Sequence, residues 1–269
     1  MNNSFKDIFN LRGKTAIVTG GTGILGRSFC TALASFGANI VVLDLIKEEV
    51  VDFSRELSKD FGVDSLGISC DITSESSVKK SIEEISSMFK TIDILHNNAQ
   101  GKTVAVPFEE CTLEDCRLTS SVNEEGYFLM AQAVGKKMIA QDIGGSIIQT
   151  SSIYGVLGPD HRIYEGATLD GKSMGTRAVY SFSKAGVVGL TKYLATYWAD
   201  NNIRVNTLTP GGVQNGQSSN FIEQYSNRVP LGRMAKKEDM VGALIYLASD
   251  ASSYVTGQNI VVDGGLEAW

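Results

Sequence analysis

Tyr180 and Lys184 stand four positions apart, a spacing that puts both side chains on one face of a helix. A free phenol, with a pKa of about 10, is a poor base near neutrality, and a neighbouring ammonium favours phenolate. Such a pair could move a proton to or from a reacting hydroxyl. Spacing alone carries little weight, because the chain holds nine tyrosines and many lysines, and a solvated surface pair would read the same way.

A second set is the run Thr19-Gly20-Gly21-Thr22-Gly23-Ile24-Leu25-Gly26, which follows an apolar strand pattern and opens a helix pattern. Glycines let backbone approach a pyrophosphate, and a helix amino terminus supplies free N–H groups and positive dipole. Gly20, Thr22, Gly23, Ile24 and Leu25 are the candidate contacts. Asp44 ends the next apolar run, eighteen positions after Gly26. A carboxylate there accepts hydrogen bonds from ribose hydroxyls and repels a 2′-phosphate, so NAD(H) is expected over NADP(H). Arg27, just inside the helix, is expected to point away from the phosphates. A merely structural glycine turn and a solvated strand-end carboxylate are the plain alternatives.

These groups need elements to hold them. Apolar, β-branched runs at Thr15 to Thr19, Asn39 to Leu43, Asp64 to Ser69, Ile92 to His96, Ser146 to Thr150, Arg204 to Leu208 and Asn259 to Val262 read as buried parallel strands. Helix-period segments at Leu25 to Phe36, Lys47 to Asp60, Glu75 to Phe89 and Val179 to Ala199 alternate with them. The alternation predicts one α/β domain with a Rossmann-type, doubly wound parallel sheet of about seven strands, helices on both faces and ligands at the strand carboxyl ends. Two long connections, Ile153 to Ala178 and Pro210 to Pro230, are expected as loops on that ligand side.

The 269 residues suffice for one large core. A net charge of −6 without a basic tract points to a small-molecule substrate rather than nucleic acid. No run approaches a membrane span and Met1 to Asn10 does not read as a signal peptide, so a cytoplasmic protein is expected. Cys30, Cys70, Cys111 and Cys116, with the isolated His96 and His161, make neither a disulfide framework nor a metal-ligand pattern, and no metal is expected.

In order, the glycine turn, Asn97-Asn98-Ala99, Asn123, Ser151-Ser152, Tyr180-x-x-x-Lys184, Arg204-Val205-Asn206, Pro210-Gly211 and Val262-Asp263-Gly264-Gly265 resemble the landmarks of the short-chain dehydrogenases/reductases, over about residues 12 to 267. The ordered set is far more specific than any one motif. The resemblance implies that Tyr180 is the acid/base, that Lys184 lowers its pKa and binds the nicotinamide ribose, and that Ser152 aligns the reacting oxygen, with Ser151 as its substitute. It makes Asn123 the asparagine that bends a helix and holds a water linked to the lysine. Asp71 and Ile72 would meet adenine, Asn98 and Ala99 would lie beside the cofactor, and Pro210, Gly211 and Val213 would meet the carboxamide. It also implies a homo-oligomer, a tetramer, joined through the Val179 to Ala199 helix and the carboxyl terminus ending in Trp269.

The spacing of the glycines resembles that of the longer family branch, whereas chain length, Asn123 and the Val-Asp-Gly-Gly ending resemble the compact one. Gln100 and Asn215 also depart from the usual pattern. The larger departure is the long separation of Ser152 and Tyr180. It carries Pro159, His161, Arg162, Tyr164, Glu165, Lys172 and Arg177 and weakly resembles oxidoreductases of sugar acids and nonulosonate sugars. His161, Arg162 and Arg177 are the candidate substrate contacts, although Asp160, Glu165 and Asp170 balance the charge. The leading expectation is NAD(H)-linked interconversion of a secondary alcohol and a ketone on a carbohydrate or sugar acid. Reduction of a 3-oxoacyl or other hydrophobic ketone is the enzymatic alternative. A nucleotide-sensing protein without turnover is the alternative of another class.

Overall fold

In the first strand, β1 (Thr15–Thr19), every residue is buried, and successive side chains go to opposite faces. Ala16 and Val18 join one core cluster and Ile17 the other, which requires cover on both sides of the sheet. In the computed structural model, which describes residues 5, 7–101, 106–169, 171–175 and 177–269, helices supply it. After β1 come α1 (Ile24–Ser35), β2 (Asn39–Asp44), α2 (Lys47–Phe61), β3 (Ser65–Ser69), α3 (Glu75–Met88) and β4 (Ile94–Asn97). Then follow α4 (Leu113–Ser120), a π-helical turn Ser121–Gly126, α5 (Tyr127–Gln141) and β5 (Gly145–Thr150). The chain continues through β6 (Thr168–Leu169), β7 (Lys172–Ser173), α6 (Ala178–Tyr197) and β8 (Ile203–Pro210). It closes with α7 (Ser219–Ser226), α8 (Val241–Ala248) and β9 (Asn259–Val262).

The sheet has seven strands in the order β3-β2-β1-β4-β5-β8-β9, all pairs parallel. Residues of α1, α2 and α8 pack on one face and those of α3, α5 and α6 on the other. The order of connection reverses between β1 and β4, so the carboxyl ends of these strands open a crevice. Local signals set the helix limits. Val50, Phe53, Ser54 and Leu57 form the buried stripe of α2, and Gly62, at φ 66°, ends that helix in the left-handed conformation.

The expected strands are present, with shifted limits. The fourth begins at Ile94 because the backbone N–H and C=O of Ile92 bond instead to the side chain of Gln141, at 2.9 and 3.0 Å. The strand β8 runs on to Pro210 because that residue pairs with Val262. The connection Pro210 to Pro230 is not an unbroken loop, since α7 lies within it. Phe221 and Tyr225, one helical turn apart, are buried there. They share a third apolar cluster with Ile153, Ile163 and Ala167 of the other long connection, together with Val229, Met234 and Leu266. The hairpin β6–β7 docks on the segment before α7, where the Ser218 N–H donates to the Thr168 carbonyl at 2.8 Å. Both long connections therefore fold as one lobe over the strand ends. No helix among the described residues is long and apolar enough to cross a membrane.

Candidate active site

The glycine run turns the end of β1 into α1. Gly20 has φ 63°, and a side-chain carbon there would lie 2.7 Å from the Ala99 Cα, so the turn admits no other residue without displacement. A side chain at Gly26 would strike the Gly20 carbonyl. Gly23 begins α1 with no side-chain cap, which leaves the first amides of the helix free to bind an anion. Gly20, Gly23, Ile24 and Leu25 line a cavity of about 920 Å³ that runs along the strand ends. Free amides and close backbone approach are the features that an anion such as a phosphate requires.

Asp44 and Asp71 are the acidic residues in the described lining. The Asp44 carboxylate accepts from the Thr22 amide and hydroxyl at 3.1 and 2.7 Å and from the Leu45 amide at 2.8 Å. Thr22 was expected against the cofactor; it instead fixes Asp44 and is absent from the described lining. Arg27 does turn away, with its guanidinium 4.5 Å from the Phe53 ring centre and its Nε donating to the Thr22 carbonyl. Asp71 holds the Thr73 amide and hydroxyl at 2.9 and 2.7 Å and lines the cavity with Ile72. Asn98 ties β4 to β1, its Nδ2 donating to the Thr19 carbonyl at 3.1 Å, and it lines the cavity with Ala99. Pro210, Gly211 and Val213 close the far wall.

At that far end β5 and α6 bring the polar groups together. Lys184 is 1% exposed, and its Nζ donates to the Thr150 carbonyl at 2.9 Å and to the Tyr127 hydroxyl at 3.4 Å. Nζ lies 5.9 Å from the Tyr180 ring centre. Burial pulls the Lys184 pKa down to about 7. Desolvation pushes the Tyr180 phenol above its ordinary value, while a hydrogen bond with Ser152 and then the Arg177 guanidinium pull the other way. The pull on the Tyr180 phenol in this structure comes from Ser152 and Arg177, and Lys184 is itself shifted down by loss of water.

The two serines separate cleanly. The Ser151 hydroxyl donates to the Lys184 backbone carbonyl at 2.7 Å, a structural bond between β5 and α6. The Ser152 hydroxyl accepts from the Tyr154 amide at 3.2 Å and faces Tyr180. Asn123, fully buried in the π-helical turn, accepts from the Gly101 amide at 2.9 Å and donates to the Ser183 hydroxyl at 3.0 Å. It is absent from the cavity wall and braces α6 one residue before Lys184.

The expected substrate contacts divide. Arg177 lines the cavity. Arg162 does not, because it pairs with Asp160 at 2.8 Å and its side chain is 82% exposed; Arg228 holds the same carboxylate. His161 is exposed, and neither it nor Arg162 is part of the described cavity wall, in contrast to the expectation from the sequence. Asp170 lies outside the described residues. Tyr154 and Tyr225 are wall residues that the sequence reading missed. The Tyr164 hydroxyl donates to that of Tyr154 at 2.9 Å, and the Tyr225 hydroxyl accepts from the Gly212 amide at 2.6 Å. Tyr154, two residues after Ser152, could have been found from that proximity; Tyr225 needed α7 to be recognised.

A family model described as enoyl-(acyl carrier protein) reductase matches residues 22–267. D-threitol dehydrogenase of Mycolicibacterium smegmatis is 34% identical, the match covering 96% of this chain and 94% of that protein. The chain belongs to the short-chain dehydrogenase/reductase family. Among solved structures, a short-chain dehydrogenase from Leptospira borgpetersenii with bound NAD+ superposes with a TM-score of 0.85 at 35% identity, covering 99% of this chain and 96% of that one. A gluconate 5-dehydrogenase from Burkholderia cenocepacia, in complex with NADP and tartrate, gives 0.87 at 31%, covering 98% of each. This short-chain dehydrogenase/reductase is an oxidoreductase of CH–OH groups, and its relatives use nicotinamide cofactors.

Proposed function

We propose that this oxidoreductase interconverts a secondary alcohol and a ketone on a carbohydrate skeleton with NAD(H), using Tyr180 to transfer the proton. The observation that carries the reading is the cluster of Tyr180, Ser152 and buried Lys184 at one end of a continuous cavity that has Asp44 at the other. The uncapped start of α1 and the close approach at Gly20 suit a dinucleotide pyrophosphate lying between these ends. A nicotinamide held there would supply the hydride acceptor for oxidation of the carbinol carbon and the hydride donor for the reverse reduction.

In reduction, Tyr180 gives its phenolic proton to the carbonyl oxygen, and desolvation keeps that proton in place near neutral pH. In oxidation, the phenolate of Tyr180 takes the hydroxyl proton. Ser152 orients the reacting oxygen toward Tyr180 by hydrogen bonding. The Thr150 carbonyl anchors Lys184, whose charged form favours the phenolate. Asn123 donates to the hydroxyl of Ser183, the residue before this lysine, and that hydroxyl in turn donates to the Tyr180 carbonyl.

Asp44 supports NAD(H), since its fixed carboxylate would repel a 2′-phosphate and Arg27 is engaged elsewhere. Tyr154, Tyr164, Asn215 and Gln217 give the wall hydrogen-bonding groups for hydroxyls, and the likeness to a D-threitol dehydrogenase supports a polyol-like substrate. Exposed Phe128, Phe182, Tyr193 and Tyr197 support assembly as a homo-oligomer, with the tetramer as the form proposed. A second reading, reduction of a 3-oxoacyl thioester, is favoured by Leu169, Met174, Phe221 and Met234 in the same wall. Nicotinamide absorbance during turnover of a polyol panel and of an oxoacyl thioester separates the two, and turnover of the thioester alone overturns the carbohydrate reading. Tyr180→Phe should lower turnover by about 10²- to 10⁴-fold while NAD+ binding persists. Full activity in that variant would refute the proton-transfer assignment.

A further inference from the structure

Charge along the cavity is unevenly distributed. Among its described lining residues, Asp44 and Asp71 sit at the nucleotide end, and Arg177 and Lys184 at the reaction end. Lys184 is buried beneath Tyr180 and engaged with a backbone carbonyl, which leaves Arg177 to meet a ligand. It precedes α6 directly and stands three residues before Tyr180. Burial raises the phenol of Tyr164, which lines the same wall, and the nearby Arg177 guanidinium partly opposes that rise.

No acidic side chain among the described residues pairs with Arg177. Asp160, which the sequence could have offered as a counter-ion, is 11% exposed at its side chain and held by Arg162 and Arg228. Glu165 is exposed and absent from the cavity wall. Among the described residues no carboxylate lines the reaction end of the cavity, so the half-buried guanidinium there presents a fork of donors, a geometry matched to two oxygens of a carboxylate.

We infer that the substrate is a hydroxy acid of the sugar-acid class and that Arg177 seats its carboxylate while Tyr180 and Ser152 engage the carbinol or ketone oxygen. This rests on the reading of Tyr180 as the reaction end of the cavity. It narrows the carbohydrate class to its anionic members, with Arg177 as the specificity-determining residue. Tyr154 and Tyr164, already linked by a hydrogen bond, border the space where the remaining hydroxyls would lie.

The test uses the enzyme loaded with NADH, in which an alcohol binds without reacting. Calorimetric titration compares D-gluconate with D-glucitol and D-threonate with D-threitol, each pair differing in one carboxylate. The acid of at least one pair should bind tenfold or more tighter than its polyol. Arg177→Gln should weaken the acid by about 10- to 100-fold and bring the ratio toward one, and Arg177→Lys should fall between. NADH fluorescence reports whether each variant retains the cofactor site. Equal binding within both pairs, no binding of either acid, or a preference that survives Arg177→Gln overturns the inference. Polyol turnover without acid preference would defeat the carboxylate seat alone. Acid binding dependent on Arg177, with no hydride transfer to any member of the panel, would defeat the catalytic reading and leave the seat standing.

Discussion

Replacing Lys184 with methionine should change how the protein's stability depends on pH. Burial lowers the lysine's pKa from 10.5 to about 7, which corresponds to about 5 kcal/mol of burial cost when the group is charged in both folded and unfolded states. Below pH 7 that cost is fully present. As pH rises through 7, the folded protein sheds the proton while the unfolded chain keeps it until near 10.5, so the cost falls by about 1.4 kcal/mol per pH unit. Methionine has nearly the same length and no charge, and the Tyr127 hydroxyl still donates to the Thr150 carbonyl at 3.3 Å. Other titrating groups are common to both proteins. Between pH 6 and pH 8.5, wild type should therefore gain about 2 kcal/mol on the variant, or about 4 to 8 °C in the difference of their Tm values. Calorimetric scans of both proteins at the two pH values measure this. A Tm difference that stays constant with pH would show that desolvation does not control Lys184, and the account of its charge would fail.

Asp44→Ala should weaken NAD+ binding by about 10- to 100-fold, the loss expected for charge-assisted hydrogen bonds, and shift the ratio of affinities toward NADP+. Fluorescence titration with both cofactors reads this, and unchanged NAD+ affinity would refute the role of that carboxylate. Ser151→Ala and Ser152→Ala should separate stability from chemistry. The first removes the bond to the Lys184 carbonyl and should cost about 1 kcal/mol in denaturant unfolding, whereas the second should lower kcat by about 10²-fold or more. Equal losses of kcat would mean that the two hydroxyls have been given the wrong roles.

The parallel strands were legible because a strand covered on both faces is apolar without interruption, as in Thr15–Thr19. Tyr180, Lys184 and Asp44 were legible through their order along the chain, since their spacing alone is common. The use of Thr22 was not, because a hydroxyl in a glycine turn can face the ligand or the neighbouring strand. Only the position of Asp44 decides between them. Charges in the segment before α6 cancel in the sequence, yet in space Asp160 draws in Arg162 and Arg228 and leaves Arg177 facing the cavity. Arg228 is distant in sequence, so no local pattern announces that three-way contact. The same limit hid α7, whose buried aromatic pair gains its meaning from residues of the earlier connection.

That shared packing of the two long connections constrains how new specificities can arise. Ile153, Ile163 and Ala167 have their partners in Phe221, Tyr225 and Val229, so neither segment offers a self-sufficient cassette. Changes of bulk on one side leave a void or a clash on the other. A transplant of the first segment alone into a related scaffold should lose its shape, whereas both segments moved together carry their own interior. Variation of substrate at this site is then a matter of paired inheritance, with the sheet and the glycine turn beneath it left unaltered.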